Sequence, residues 1–249
     1  MYPNAILTGA ANLTLFGLVV LLRRWIHKEG IASFGLHGDT KGQFLLLEGI
    51  LTGLASFGLY SGSVILSRQG TLTLSWNSLM DTAKLIASWG VGFLGVALFE
   101  EALFRGYILQ KLLKRFPVVV AIGLPALVFG ALHFFSYSSS ARLLIGILNA
   151  SLIAAVMSIS VIKSRSLMWA LGFHWAWDLT QETLLAAQNL DVRTVVNIHI
   201  TDGLWEGSSA VPESGFMVTL IFVGLGVYLL RRFKPPIEVM GQTAKERVL

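Results

Sequence analysis

"KLIASWGVGFLGVALFEEALFRGYIL" (residues 84–109) is an apolar run long enough to cross a bilayer, yet it holds Glu100, Glu101 and Arg105. A transmembrane helix needs about 20 predominantly apolar residues. Each ionisable group at the centre of such a helix costs roughly 2.5–3.5 kcal/mol, so three oppose insertion by about 8–10 kcal/mol before any pairing. Polar groups kept at that depth face a bundle interior or a water-filled cavity. The stretch therefore predicts a membrane helix and, on the same helix, a site.

The rest of the chain agrees with a membrane reading. Charged residues are 13% and hydrophobic ones 54% of the 249 residues, with a mean hydropathy of +0.69. A soluble chain carries about 25% charged residues, and this one has too few to cover a water-facing surface. Apolar runs at about 5–22, 43–66, 84–110, 117–135, 142–161, 167–188 and 215–230 predict an all-α, polytopic bundle of about seven transmembrane helices. The chain reads as one membrane domain, 1–249, with its motif-bearing core at about 80–230 and a basic tail at 231–249. The net charge of +5 is not a nucleic-acid signal, because the Lys and Arg residues lie between apolar runs rather than in one patch. With no Cys there is no disulfide, thiolate metal site or cysteine nucleophile.

Basic residues set the expected orientation. Arg23, Arg24, Lys28, Lys41, Lys111, Lys114, Arg115, Lys163, Arg165 and the basic tail fall on one side; Arg68, Lys84, Arg142 and Arg193 fall on the other. The richer side is expected in the cytosol, with the N-terminus outside and the C-terminus inside, in a membrane of bacterial cytoplasmic type. The basic pair Arg23–Arg24 follows the first apolar stretch, the reverse of a cleaved signal peptide, so that span is expected to be retained. "RQGTLTLSWNSLMD" (68–81) is expected as an amphipathic interfacial helix anchored by Trp76, or as a plain loop. Glu48 is expected to snorkel at a cytosolic helix end, and Gln181 and Glu182 to meet solvent.

Helical spacing organises the buried polar groups. Glu101 and Arg105 are i,i+4 and pair along one face, whereas Glu100 is turned about 100° away. Phe129 and His133 share a face in "FGALH", as do His174, Asp178 and Glu182 in "HWAWDLTQE". Each has a bland explanation: a packing ion pair, a hydrogen-bonded interior histidine, an aspartate that merely orients His174. Two carboxylates and two imidazoles on three separate helices are harder to assign to packing, and Glu100, His133, His174 and Asp178 are expected in one pocket. A Glu beside His residues suits activation of water.

"EEALFR", "FGALH" and "HWAWD", in that order, resemble the three signature motifs of the CAAX prenyl protease and bacteriocin-processing family of intramembrane endopeptidases, also called CPBP or Abi proteins. "RSLMWALGFHWAWD" and "PESGFMVTLI" look familial too, so the resemblance covers roughly residues 80–230. It implies hydrolysis of a peptide or protein substrate, prenylated or not, by a Glu-activated water. Glu100 would then be the general base, His133 would help to hold the water, and His174 would stabilise the oxyanion beside Asp178. Glu101, Arg105 and Phe129 would support them. Where prenyl proteases mostly have Asn, this chain has Asp178; i,i+4 spacing favours a role in fixing the His174 tautomer. No cofactor is favoured, although Glu100, His133, His174 and Asp178 are also a donor set suited to zinc. A non-catalytic immunity or scaffold protein of the same fold is the alternative, and a proton-coupled transporter a third.

Overall fold

The computed structural model describes residues 3–74, 79–134, 140–185, 196–208 and 211–233. Trp76, Arg193 and the tail residues Lys234, Lys245 and Arg247, on which expectations were placed, lie outside the described residues.

The expected helices are present: α1 (Pro3–His27), α2 (Thr40–Leu66), α3 (Leu79–Leu113), α4 (Val118–Leu132), α5 (Ser140–Ser164), α6 (Met168–Leu185) and α7 (Phe216–Arg232). Asn4–His27, Thr40–Leu66, Leu79–Leu113 and Arg142–Ser164 are long and apolar enough to cross a membrane, and Val118–Leu132 is a shorter apolar helix. Leu7, Leu51, Leu59, Leu127 and Leu220 point outward. Lipid tails receive such side chains without loss, so the protein is an integral membrane protein with an all-α body.

Because lipid supplies no hydrophobic drive between helices, they hold together by close approach at small residues. A Cβ on Gly49 of α2 would strike the Trp169 carbonyl, and one on Gly172 of α6 would strike that of Leu46. The two backbones therefore touch where His174 begins its turn. On the other flank, a Cβ on Gly130 of α4 would meet Ser151 and the Ile147 carbonyl of α5. Between these contacts lies a core of Phe57, Tyr60, Trp169, Phe173, Trp177 and Phe222.

One expectation fails. Among its described residues the 68–81 stretch is neither an amphipathic interfacial helix nor plain loop. Residues Gly70–Leu74 form a strand, β1, antiparallel to β2 (Val196–Ile200), with Gly70 opposite Ile200 and Leu74 opposite Val196. "GTLTL" and "VNIHI" both alternate polar and apolar residues, and the partner strand buries Ile198 and Ile200. Residues 196–200 of the link after α6 are thereby paired, and the Tyr60 hydroxyl adds a bond to the Glu206 carbonyl (2.7 Å). Glu48, expected to snorkel, instead accepts from Tyr228 (2.7 Å) and Arg232 (3.0 Å) of α7.

Candidate active site

In α3, ordinary α-helix runs through Leu79–Glu101, widens to a π-helical turn over Ala102–Ile108, and resumes at Leu109–Leu113. The Leu109 N–H accordingly reaches back to the Phe104 carbonyl, five residues away. π turns inside α-helices recur at functional sites. Glu101 and Arg105 bracket the start of this one, and both are buried (0% and 1% exposed). Glu101 Oε1 accepts from Arg105 Nη1 at 2.8 Å, the expected pair. The guanidinium also lies 4.9 Å over the Phe129 ring, a contact between α3 and α4.

The same carboxylate oxygen takes a second bond, from His174 Nδ1 at 2.8 Å. A carboxylate only accepts, so Nδ1 carries hydrogen and Nε2 is the ring's outward nitrogen. Nε2 faces Asp178 Oδ2 at 3.3 Å and Glu100 Oε2 at 3.7 Å. The tautomer-fixing contact expected from Asp178 is therefore made by Glu101, across helices, and Asp178 sits at the opposite nitrogen. Glu100 and Glu101, though turned apart on α3, meet the two ends of one imidazole. For Nε2 to stand between two carboxyl groups, it must donate a proton to one or accept a proton from one.

His133 caps the C-terminal end of α4, and its Nδ1 donates to the Phe129 carbonyl at 2.8 Å, which leaves Nε2 as its chemically available nitrogen. Counting residues along a full-length span would put His133 near the outer surface. But α4 has only 15 residues, about 22 Å at 1.5 Å per residue, against a hydrocarbon core of about 30 Å. It is too short for a full crossing. α6 starts inside the protein, since Ser166 and Leu167 just before it are buried. The two short approaches bring His133 and His174 to one cavity of about 410 Å³.

That cavity is walled by Phe129, Ile153, Met157, Phe173, Trp177 and Phe222, with His133, His174 and Asp178 as polar groups. Glu100 is not in its wall; it reaches His174 from the flank. Two polar residues of its wall were not anticipated. Gln181, expected in solvent, lines the cavity and accepts from Trp177 Nε1 at 3.1 Å. Glu213, from "PESGF", accepts from the same indole at 2.6 Å, and burial pushes its carboxyl above the ordinary range against the opposing pull of that bond. Asn149 of α5 fixes the turn by donating to the carbonyls of Glu213 (2.7 Å) and Gly215 (3.0 Å). The signal for the Asn149–Glu213 contact was an amide in the middle of the apolar run "LLIGILNASLIAAV".

Zinc fits this arrangement poorly. Among the described residues no three His, Asp or Glu side chains are set to hold one ion. No chemical step is derived through a metal here.

The sequence pattern of the Rce1-like proteins, type II CAAX prenyl endopeptidases, matches residues 82–180. That segment contains Glu100, Glu101, Arg105, Phe129, His133, His174 and Asp178. No curated protein and no solved structure matches the chain. Over residues 82–180, which carry its whole candidate site, the chain is similar to the Rce1-like type II CAAX prenyl endopeptidases.

Proposed function

We propose that the protein is an active intramembrane endopeptidase that hydrolyses a peptide bond at the cavity between α4, α5 and α6. The observation that carries this reading is the His174 ring, oriented by Glu101 at Nδ1 and flanked at Nε2 by Glu100 and Asp178. Glu100 takes a proton from water as the oxygen attacks the scissile carbonyl carbon. The carbonyl oxygen becomes an oxyanion, which protonated Nε2 of His174 receives. When the C–N bond breaks, the proton on Glu100 passes to the leaving amine, and a carboxyl product remains. A donor aimed at an oxyanion in a water-poor site is worth about 2.7–4 kcal/mol. His133 Nε2 holds the attacking water. Asp178 keeps the Nε2 proton of His174 in place, a role an asparagine amide can share by accepting from it.

The substrate is a membrane-delivered peptide or protein, prenylated or not, and nucleic acid has no part. We place the protein in a bacterial cytoplasmic membrane with its N-terminus outside and C-terminus in the cytosol. Asp178 is the second choice of base, because it lines the cavity and stands closer to His174 than Glu100 does.

The test is digestion of a peptide library by purified protein, with products read by mass spectrometry. Glu100→Gln keeps the shape and removes the basic oxygen, so cleavage falls by at least about a hundredfold. Wild-type rates from Glu100→Gln would reject Glu100 as base. Absence of any cleavage by the folded wild-type protein would favour the scaffold alternative.

A further inference from the structure

Arg23 counts, by sequence, among the basic residues of a cytosolic flank, yet it is 3% exposed. Its guanidinium donates to Glu29 Oε2 (2.8 Å from Nε), to the Ser33 carbonyl (3.0 Å), to Gln110 Oε1 (2.9 Å) and to the Gly106 carbonyl. Its flat face lies 4.5 Å from the centre of the Phe34 ring. A buried guanidinium is costly unless its donors are met, and here each nitrogen has a partner.

The partners converge on one place. Gly106 lies in the π turn of α3, directly after Arg105, and Gln110 is one turn on. A π turn breaks the regular ladder of backbone bonds, and Arg23 supplies a donor to a carbonyl of that turn. Gly106 also lets Phe34 lie against the turn, since a Cβ there would strike the Phe34 ring. From Phe34 the chain passes to Gly35, left-handed at φ +86°, whose carbonyl accepts from Leu167 N–H at 2.9 Å. Leu167 immediately precedes α6. One short segment therefore touches the π turn of α3 on one side and the start of α6, the His174 helix, on the other.

We propose that Arg23 is a positioning residue for the candidate site. By holding the Gly106 carbonyl it keeps the π turn in the shape that sets Arg105 and Glu101 against His174, while Phe34 and Gly35 fix α6 at matching depth. α1 lies outside residues 82–180, the segment similar to the Rce1-like endopeptidases. The kinetic consequence rests on the peptidase reading; the structural one does not.

The experiment compares the full-length wild type with Arg23→Gln, and with Arg24→Gln as an exposed neighbour, in detergent or lipid nanodiscs. Histidine is labelled with ¹⁵N and the His174 ring signal assigned from a His174→Asn sample. The wild type should show a hydrogen-bonded Nδ1–H from the Glu101 contact. Arg23→Gln should shift or lose that signal and lower kcat about tenfold at unchanged KM, the scale of a small misplacement of a reacting group. Arg24→Gln should change neither. Gly106→Ala, which disturbs the same turn from the Phe34 side, should reproduce the Arg23→Gln signal, and it serves in place of Arg23→Gln if that variant does not fold. Folded Arg23→Gln or Gly106→Ala protein with wild-type His174 ring signals would overturn the proposal. Since the ring signal needs no substrate, a protein that cleaves nothing yet shows the Arg23 effect would count against the peptidase reading alone.

Discussion

Glu101→Gln isolates the charge at the centre of the site. Glu101 Oε1 accepts from Arg105 Nη1 and His174 Nδ1, both at 2.8 Å, in a place fully closed to solvent. A glutamine oxygen can still accept both bonds, so the variant keeps the contacts and removes only the negative charge. Arg105 is then a buried cation with no counterion, and its Nη2 already lacks a hydrogen-bond partner among the described residues. Breaking a buried pair in this way costs about 3–5 kcal/mol. For a domain of this size each kcal/mol lowers the unfolding midpoint by roughly 2–4 °C, giving a fall of about 6–20 °C. Adding Arg105→Met removes the orphan cation, and the double variant should return to within about 1–3 kcal/mol of wild type, the cost of a less well partnered His174. Thermal unfolding followed by a dye or by loss of the monodisperse chromatographic peak measures all three proteins. A loss below about 1 kcal/mol for the single variant, or no recovery in the double, would refute the reasoning.

Asp178→Asn should keep substantial hydrolysis near neutral pH while Asp178→Ala loses most of it; equal loss in both, measured side by side, would mean the negative charge itself is required. Orientation is tested on the cysteine-free background: Leu112→Cys should resist an impermeant thiol reagent applied to intact cells and react in inverted vesicles, and outside labelling would reverse the assigned topology. Glu29 has a pH signature. Its bond from Arg23 holds the carboxyl below the ordinary 4.5, so its contribution is present above that value and lost as pH falls through the lowered one. Acid unfolding curves of wild type and Glu29→Gln should therefore converge at low pH and separate above about 4.5.

How much of this was legible in the sequence depended on whether a contact lies within one helix. The spans were, because apolar runs are local; so was Glu101–Arg105, because i,i+4 neighbours meet on any helix. The partner of His174 Nδ1 was not. Periodicity saw Asp178 on the same face, whereas Glu101 arrives from α3 by tertiary packing. The π turn carries no composition signal, so nothing in "ALFRGYI" announced it. β1 and β2 lie more than a hundred residues apart, and each is too short to stand out from a loop. Gln181 read as a solvent-facing group until the bundle folded it inward beside Trp177, and nothing local to "PESGF" placed Glu213 there.

The brevity of α4 has a consequence for the surrounding lipid. A rod of about 22 Å in hydrocarbon of about 30 Å leaves a mismatch of about 8 Å, which the bilayer meets by thinning or by admitting headgroups and water at the helix end. That end is His133. A bilayer thinned at that end would make its thickness a control on how readily water reaches the site. Reconstitution into vesicles of increasing acyl-chain length should slow hydrolysis with the fold unchanged, and a rate indifferent to chain length would mean that water enters by another path.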